Sequence, residues 1–181
     1  MPSTLSKPHR RSIRLQGYDY SQAGLYFVTI CCLDKVCRFG RVEDDVMILN
    51  TAGKFADACW LAIPEHFPNA ILHEYVVMPN HVHGIIQLVG AENLLPLCNE
   101  FQKMIPRSIG SIIKGFKIGV TKWFRNANGA AENVLPLRSL QSVWQVNYYE
   151  HVIRNQESYL MISNYIINNP ATWKNDKLFK V

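Results

Sequence analysis

The sequence predicts an α+β fold: a ferredoxin-like antiparallel sheet with helices on one face. Three observations predict it. The elements read strand, helix, strand, strand, helix, strand, followed by a final helix. The strand candidates are short and rich in β-branched and aromatic residues, as in Tyr26 to Cys32 (YFVTICC). The clearest helix candidate places Ile109, Ile112, Ile113, Phe116, Val120, Trp123 and Phe124 at three-to-four spacing.

Each element has its own justification. Residues 1–24 read as a basic arm, with Arg10, Arg11 and Arg14 close together, and residues 25–181 as one domain. After the first strand, Asp34-Lys35 turns the chain into a short strand from Arg38 to Val42. Asn50 or Thr51 caps a helix to about Ile63, because a short polar side chain can accept an orphan amide proton of the first turn. Ile71 to Met78 and His83 to Val89 form a hairpin. Pro79-Asn80 suits its turn, since proline presets one central dihedral and asparagine tolerates the other. Ser108 caps a helix to about Arg125, and Asn126 to Leu137 reads as a loop. Trp144 to Arg154 holds the last strand. Asn155 caps the last helix, which must end before Pro170.

The bulk numbers agree with a single folded domain. The chain has 181 residues, 48% of them hydrophobic, enough for one core. Only 18% are charged, which excludes a disordered chain. A net charge of +5 favours a polyanionic partner. The five cysteines form no C-x-x-C pair and read as reduced thiols, which places the chain in the cytoplasm. The basic start lacks the apolar stretch of a signal peptide, and no apolar run reaches the roughly 20 residues a membrane span needs.

The chemistry concentrates at two points. In Asn80-His81-Val82-His83-Gly84 the strand alternation puts His81 and His83 on one face, where two imidazoles can grip one divalent ion. Two ligands are too few for a closed structural site, so a third ligand and an open position must come from elsewhere. The last helix offers the rest. Tyr159, Ile162 and Ile166 share its apolar stripe, and Tyr165 and Asn169 lie one turn apart on the flank of that stripe. Asn168 turns toward solvent, so helical geometry selects Asn169 as Tyr165's companion. An amide oxygen is an acceptable ligand for magnesium or manganese. A lone His-x-His or a tyrosine at the rim of a core is common without any such role. Lys114, Lys117 and Arg125 form a basic stripe opposite the apolar face of their helix, the ordinary pattern of a solvated face.

Taken together, Met78-Pro79-Asn80-His81-Val82-His83, Trp144-Gln145 through Tyr148-Tyr149-Glu150-His151-Val152-Ile153-Arg154, and Tyr165-Ile166-Ile167-Asn168-Asn169-Pro170 resemble the single-tyrosine HUH transposases, named for His-hydrophobe-His. Arg11-Ser12-Ile13-Arg14-Leu15 with Gly17-Tyr18-Asp19-Tyr20 and Tyr26-Phe27-Val28-Thr29 is similar to the N-terminal signature of the REP-associated tyrosine transposases. The resemblance spans about Arg10 to Trp173. It departs at Val146, where such proteins often carry arginine.

The resemblance implies a DNA endonuclease and strand transferase acting on single-stranded or hairpin (REP-like palindromic) DNA. Tyr165 would be the nucleophile, with His81, His83 and Asn169 on magnesium or manganese, and the product a 5′-phosphotyrosine. Arg10, Arg11, Arg14, Lys114, Lys117 and Arg125 would meet phosphates. Glu150 and His151 would stand behind the metal ligands. A monomer and a homodimer are both compatible, as is association with the nucleoid when DNA is bound. The alternatives are a non-catalytic nucleic-acid-binding module on the same fold and a nuclease using water on a histidine-bound metal.

Overall fold

The computed structural model describes residues 22–90, 108–129 and 142–179. The arm arginines Arg10, Arg11 and Arg14 lie outside the described residues, as does Cys98. The strands are β1 (Gly24–Cys31), β2 (Gly40–Glu43), β3 (Val46–Leu49), β4 (Ala70–Met78), β5 (His81–Leu88) and β6 (Tyr149–Ile153). The helices are α1 (Thr51–Leu61), α2 (Ile63–His66), α3 (Ile109–Gly129) and α4 (Gln156–Ile167). Short 3₁₀ turns occupy Leu33–Lys35 and Trp173–Asn175.

β4, β5, β1 and β6 form one antiparallel sheet in that order. The histidine strand β5 is therefore interior, paired on both edges. Alternation along β1 separates two cores. Tyr26, Val28 and Ile30 face α1 and α3, where Trp60, Ile112, Ile113 and Phe116 close the larger core. Phe27 and Leu25 face the other way and pack with Ile85, Ile153, Ile162 and Ile166. Each fully buried isoleucine or phenylalanine of these cores contributes roughly 1.5–3 kcal/mol relative to exposure.

The second core shows where the final helix goes. α1 and α3 cover one side of the sheet, and α4 packs on β4 and β5 from the other, the side of the histidines. Its seat is polar as well as apolar. Glu74 of β4 accepts hydrogen bonds from Tyr159 Oη (2.8 Å) and Ser163 Oγ (3.1 Å).

Other boundaries shift for local reasons. The short strand begins at Gly40 and pairs with β3, an element the sequence pattern did not announce, in a hairpin turned by Asp44 and Asp45 at positive φ. α1 is capped by Asn50, whose side chain accepts from Gly53 N. Pro64 starts a second short helix rather than ending the first, since proline is compatible with a first helical turn. α3 runs past Arg125 to Gly129, so part of the expected loop is helical. β6 is shorter than Trp144 to Arg154, because 144–148 crosses the sheet end as a rim with one bridge, Cys32 to Trp144. Cys31, Cys32 and Cys59 are free thiols.

Candidate active site

The site is built on one stretch of β5. His81 stands opposite Cys31 and Met78, and His83 opposite Thr29 and Val76. Both imidazoles point to the α4 face, 4.3 Å apart between ring centroids, and both are buried. Gly84 makes that placement possible from behind. A Cβ there would lie 2.3 Å from the Trp60 ring, so the indole occupies the space that any side chain would need.

Each imidazole has one nitrogen tied and one turned inward. His81 Nδ1 is 2.8 Å from Asn80 Oδ1, and His83 Nδ1 is 2.8 Å from Thr29 Oγ1. An Nδ1–H donated to each oxygen leaves both Nε2 atoms with free lone pairs, the state a metal ligand requires. His81 Nε2 is buried without a hydrogen-bond partner. His83 Nε2 lies 3.2 Å from Tyr165 Oη. Burial pushes both imidazole pKa values down, His81 well below the ordinary value and His83 to about 4, because a charged ring is poorly solvated there.

α4 brings its pair to the same place. Tyr165 is half-exposed and Asn169 fully buried, while Asn168 faces solvent. Tyr165 and Asn169 thus share a side as expected, although α4 ends at Ile167 and Asn169 lies in the turn after it. Asn169 Nδ2 donates to Asp176 Oδ2 at 3.0 Å, and Tyr165 Oη donates to the same oxygen at 3.1 Å. Asn169 Oδ1 is left buried with no partner. Burial, then the nearby Asp176 carboxylate, raise the Tyr165 pKa to about 12. At Asp176 burial acts upward, but hydrogen bonds from Leu178 N, Asn169 and Tyr165, with the nearby His81, bring the carboxyl below its usual range.

Asp176 is the residue the sequence did not reveal. His81, His83 and Asp176 each offer one ligand atom, and these atoms lie within 4.8 Å of one another. A lone acid in a tail beyond Pro170 carries no periodicity, so nothing in the sequence aims it at β5. Its position comes from a network. Asn80 Nδ2 donates to Leu178 O (2.8 Å) and Lys35 O (3.1 Å), Lys35 Nζ donates to Lys177 O (2.8 Å), and Trp173 is buried beside His81. Asn80 therefore orients His81 and anchors the tail with one side chain.

The remaining candidates separate. Lys114 and Arg125 are exposed on α3, on the side of the sheet away from the histidines. Lys117 is half-buried, and its ammonium donates to the carbonyls of Gln145 (2.9 Å), Asn147 (3.1 Å) and Val146 (3.4 Å). It fastens the 144–148 rim to α3. Glu150 is buried opposite Val28, on the α1–α3 side, so it does not stand behind the histidines. His151 is exposed opposite Phe27, on the site's side.

The donor set fits a divalent cation. Two buried imidazole nitrogens and a carboxylate converge, the Asn169 amide bonds to that carboxylate through its nitrogen and leaves its oxygen unpartnered, and an orphaned buried acceptor is costly unless something meets it. The phenol beside them is half-exposed.

No protein-family model matches the chain. It is 43% identical over 180 residues to an uncharacterized protein of Haemophilus influenzae, covering 94% of this chain and 93% of that one. Among solved structures it resembles a REP-associated tyrosine transposase bound to a REP hairpin, with a TM-score of 0.59 and 19% identity over 91% of this chain and 77% of that chain. At that identity the likeness is one of fold.

Proposed function

We propose that this chain, which belongs to one family with the Haemophilus influenzae protein and has the fold of a REP-associated tyrosine transposase, cleaves and rejoins single-stranded or hairpin DNA through a covalent tyrosine intermediate. One observation carries the reading. The phenol of Tyr165 lies within hydrogen-bond distance of His83 and Asp176, two members of the candidate metal cluster.

In the proposed step Tyr165 Oη forms a bond to the phosphorus of a backbone phosphodiester. The bond from phosphorus to the 3′ oxygen breaks, and that oxygen leaves with a proton as a free 3′-OH. Asp176, already accepting from Tyr165, is the nearest group to receive the phenol proton. Attack by a second 3′-OH on the 5′-phosphotyrosine returns the phenol and joins the strands. The diester stays activated throughout, so rejoining needs no nucleotide hydrolysis. Magnesium or manganese held by His81, His83, Asp176 and Asn169 would supply positive charge against the phosphate and the incipient phenolate. Thr29 and Asn80 set which imidazole nitrogen faces inward.

The test uses labelled hairpins with single-stranded flanks and manganese or magnesium. The wild type gives a denaturation-resistant protein–DNA band. Tyr165→Phe loses the band, and His81→Ala loses cleavage while keeping most DNA binding. Cleavage that survives Tyr165→Phe would instead support a water-using nuclease, and binding without any cleavage would support a plain nucleic-acid-binding module.

A further inference from the structure

α1 and α3 cover one face of the sheet, while α4 packs mainly on β4 and β5 of the other and reaches β1 and β6 only at Phe27 and Ile153. The β1–β6 half of that second face carries exposed rings. Tyr149 stands opposite Thr29 and His151 opposite Phe27, two residues apart on an edge strand, so both project to the same side. Tyr149 is 43% exposed. Its hydroxyl makes no hydrogen bond among the described residues, whereas the hydroxyls of Tyr26, Tyr75, Tyr159 and Tyr165 all donate to an oxygen. Neither burial nor a polar anchor accounts for this ring.

Its neighbours do. Phe27 lies face to face with His83 (centroids 5.4 Å, planes at 29°). The same Phe27 meets Tyr149 edge-on at 6.2 Å and Tyr165 edge-on at 6.3 Å. One buried ring thus joins the nucleophile, a candidate metal ligand and Tyr149 into a continuous surface. On β6 itself the charge suits a polyanion. The carboxylate of β6, Glu150, is turned to the opposite face, and Arg154 is exposed just beyond the strand end.

Resting on the reading of this chain as a single-strand DNA transferase, we propose that Tyr149 is a base-stacking residue. The nucleotide beside the phosphate attacked by Tyr165 lays its base on the Tyr149 ring, flanked by His151. Stacking requires an exposed base face, which a single strand offers and a closed duplex does not. Open four-stranded sheets with exposed aromatics hold single-stranded RNA by the same physics. Tyr149 therefore positions the strand and favours unpaired DNA beside the nucleophile.

The test measures binding of fluorescein-labelled oligo(dA) and oligo(dT) single strands in EDTA, where cleavage cannot interfere. Tyr149→Ala should weaken binding about tenfold, more for oligo(dA), while Tyr149→Trp binds as tightly as the wild type. Tyr149→Ala affinity equal to wild type, in a protein that binds single strands and forms the Tyr165 adduct, would overturn the stacking role alone. A wild type that binds no single strand would overturn both readings. A second measurement needs no variant: ultraviolet cross-linking of the wild type to a strand with 5-iododeoxyuridine in place of thymidine. Adducts on Tyr149 or His151 support the proposal, and adducts only elsewhere refute it.

Discussion

At the scale of single residues, tying Nδ1 and freeing Nε2 on both histidines makes a testable statement about protons. His83 titrates at about 4, below an unfolded histidine near 6.5, because burial disfavours the charged ring. Between those two values the unfolded chain binds a proton that the folded chain refuses. The apo protein should therefore lose stability as pH falls through that window, and His83→Gln should flatten the trend in thermal melts. The same shift keeps the Nε2 lone pair available. Manganese affinity, measured by calorimetry, should change little between pH 8 and pH 6 and fall only on further acidification. An affinity already halved near pH 6.5 would mean that the imidazoles are ordinary. Asp176→Asn should lower manganese affinity about tenfold or more, while Tyr165→Phe should leave it within a few fold. That His81 and His83 share a face, and that Tyr165 and Asn169 lie together, was legible in the sequence because periods of two and of three to four decide which neighbours share a side. Thr29 and Asp176 were not, since their roles depend on strand register and on the path of a tail. Lys117 was misleading for a related reason: a helical pattern shows a cation on a stripe, but not that it bends to three carbonyls.

At the scale of elements, the sheet is what aims the chemistry. β5 needs a polar site on one face and a tight seat for Trp60 on the other, and Gly84 satisfies the second demand. Gly84→Ala should destabilise the protein by about 1–3 kcal/mol, read from denaturant midpoints, by pushing the indole out of its place. The cap of α4 can be tested separately. Asn155 Oδ1 accepts from Ser158 N at 2.8 Å, and Asn155→Ala should cost about 1 kcal/mol in the same assay. The order of strands and helices was readable from hydrophobic periods and turn residues. The face chosen by α4 was not. Its apolar stripe says that it packs, and only Glu74 with the Phe27 side of β1 says where. β3 escaped notice because Val46 to Leu49 is a short run at the surface, half of it exposed.

At the scale of the whole molecule, segments far apart in sequence meet within one chain. β1 supplies Thr29 and Phe27, β5 the histidines, α4 the phenol, the turn after α4 the amide, and the tail a carboxylate. Tyr165 and His83, 82 positions apart, lie within hydrogen-bond distance in the same chain. Such an assembly predicts that a ligand at the centre stabilises the whole. Manganese at a hundred times its dissociation constant should add ~2.7 kcal/mol, a rise of roughly 5–10 °C in melting temperature that His81→Ala abolishes. Binding to single-stranded DNA should also weaken steeply with salt if lysines and arginines contact phosphates. The central claim is that one phenol performs the cleavage. It is tested most directly by digesting the denaturation-resistant protein–DNA adduct and weighing its peptides. A nucleotide phosphate on the peptide containing Tyr165 is the predicted result. Cleaved DNA with no adduct, or an adduct on any other residue, would contradict it.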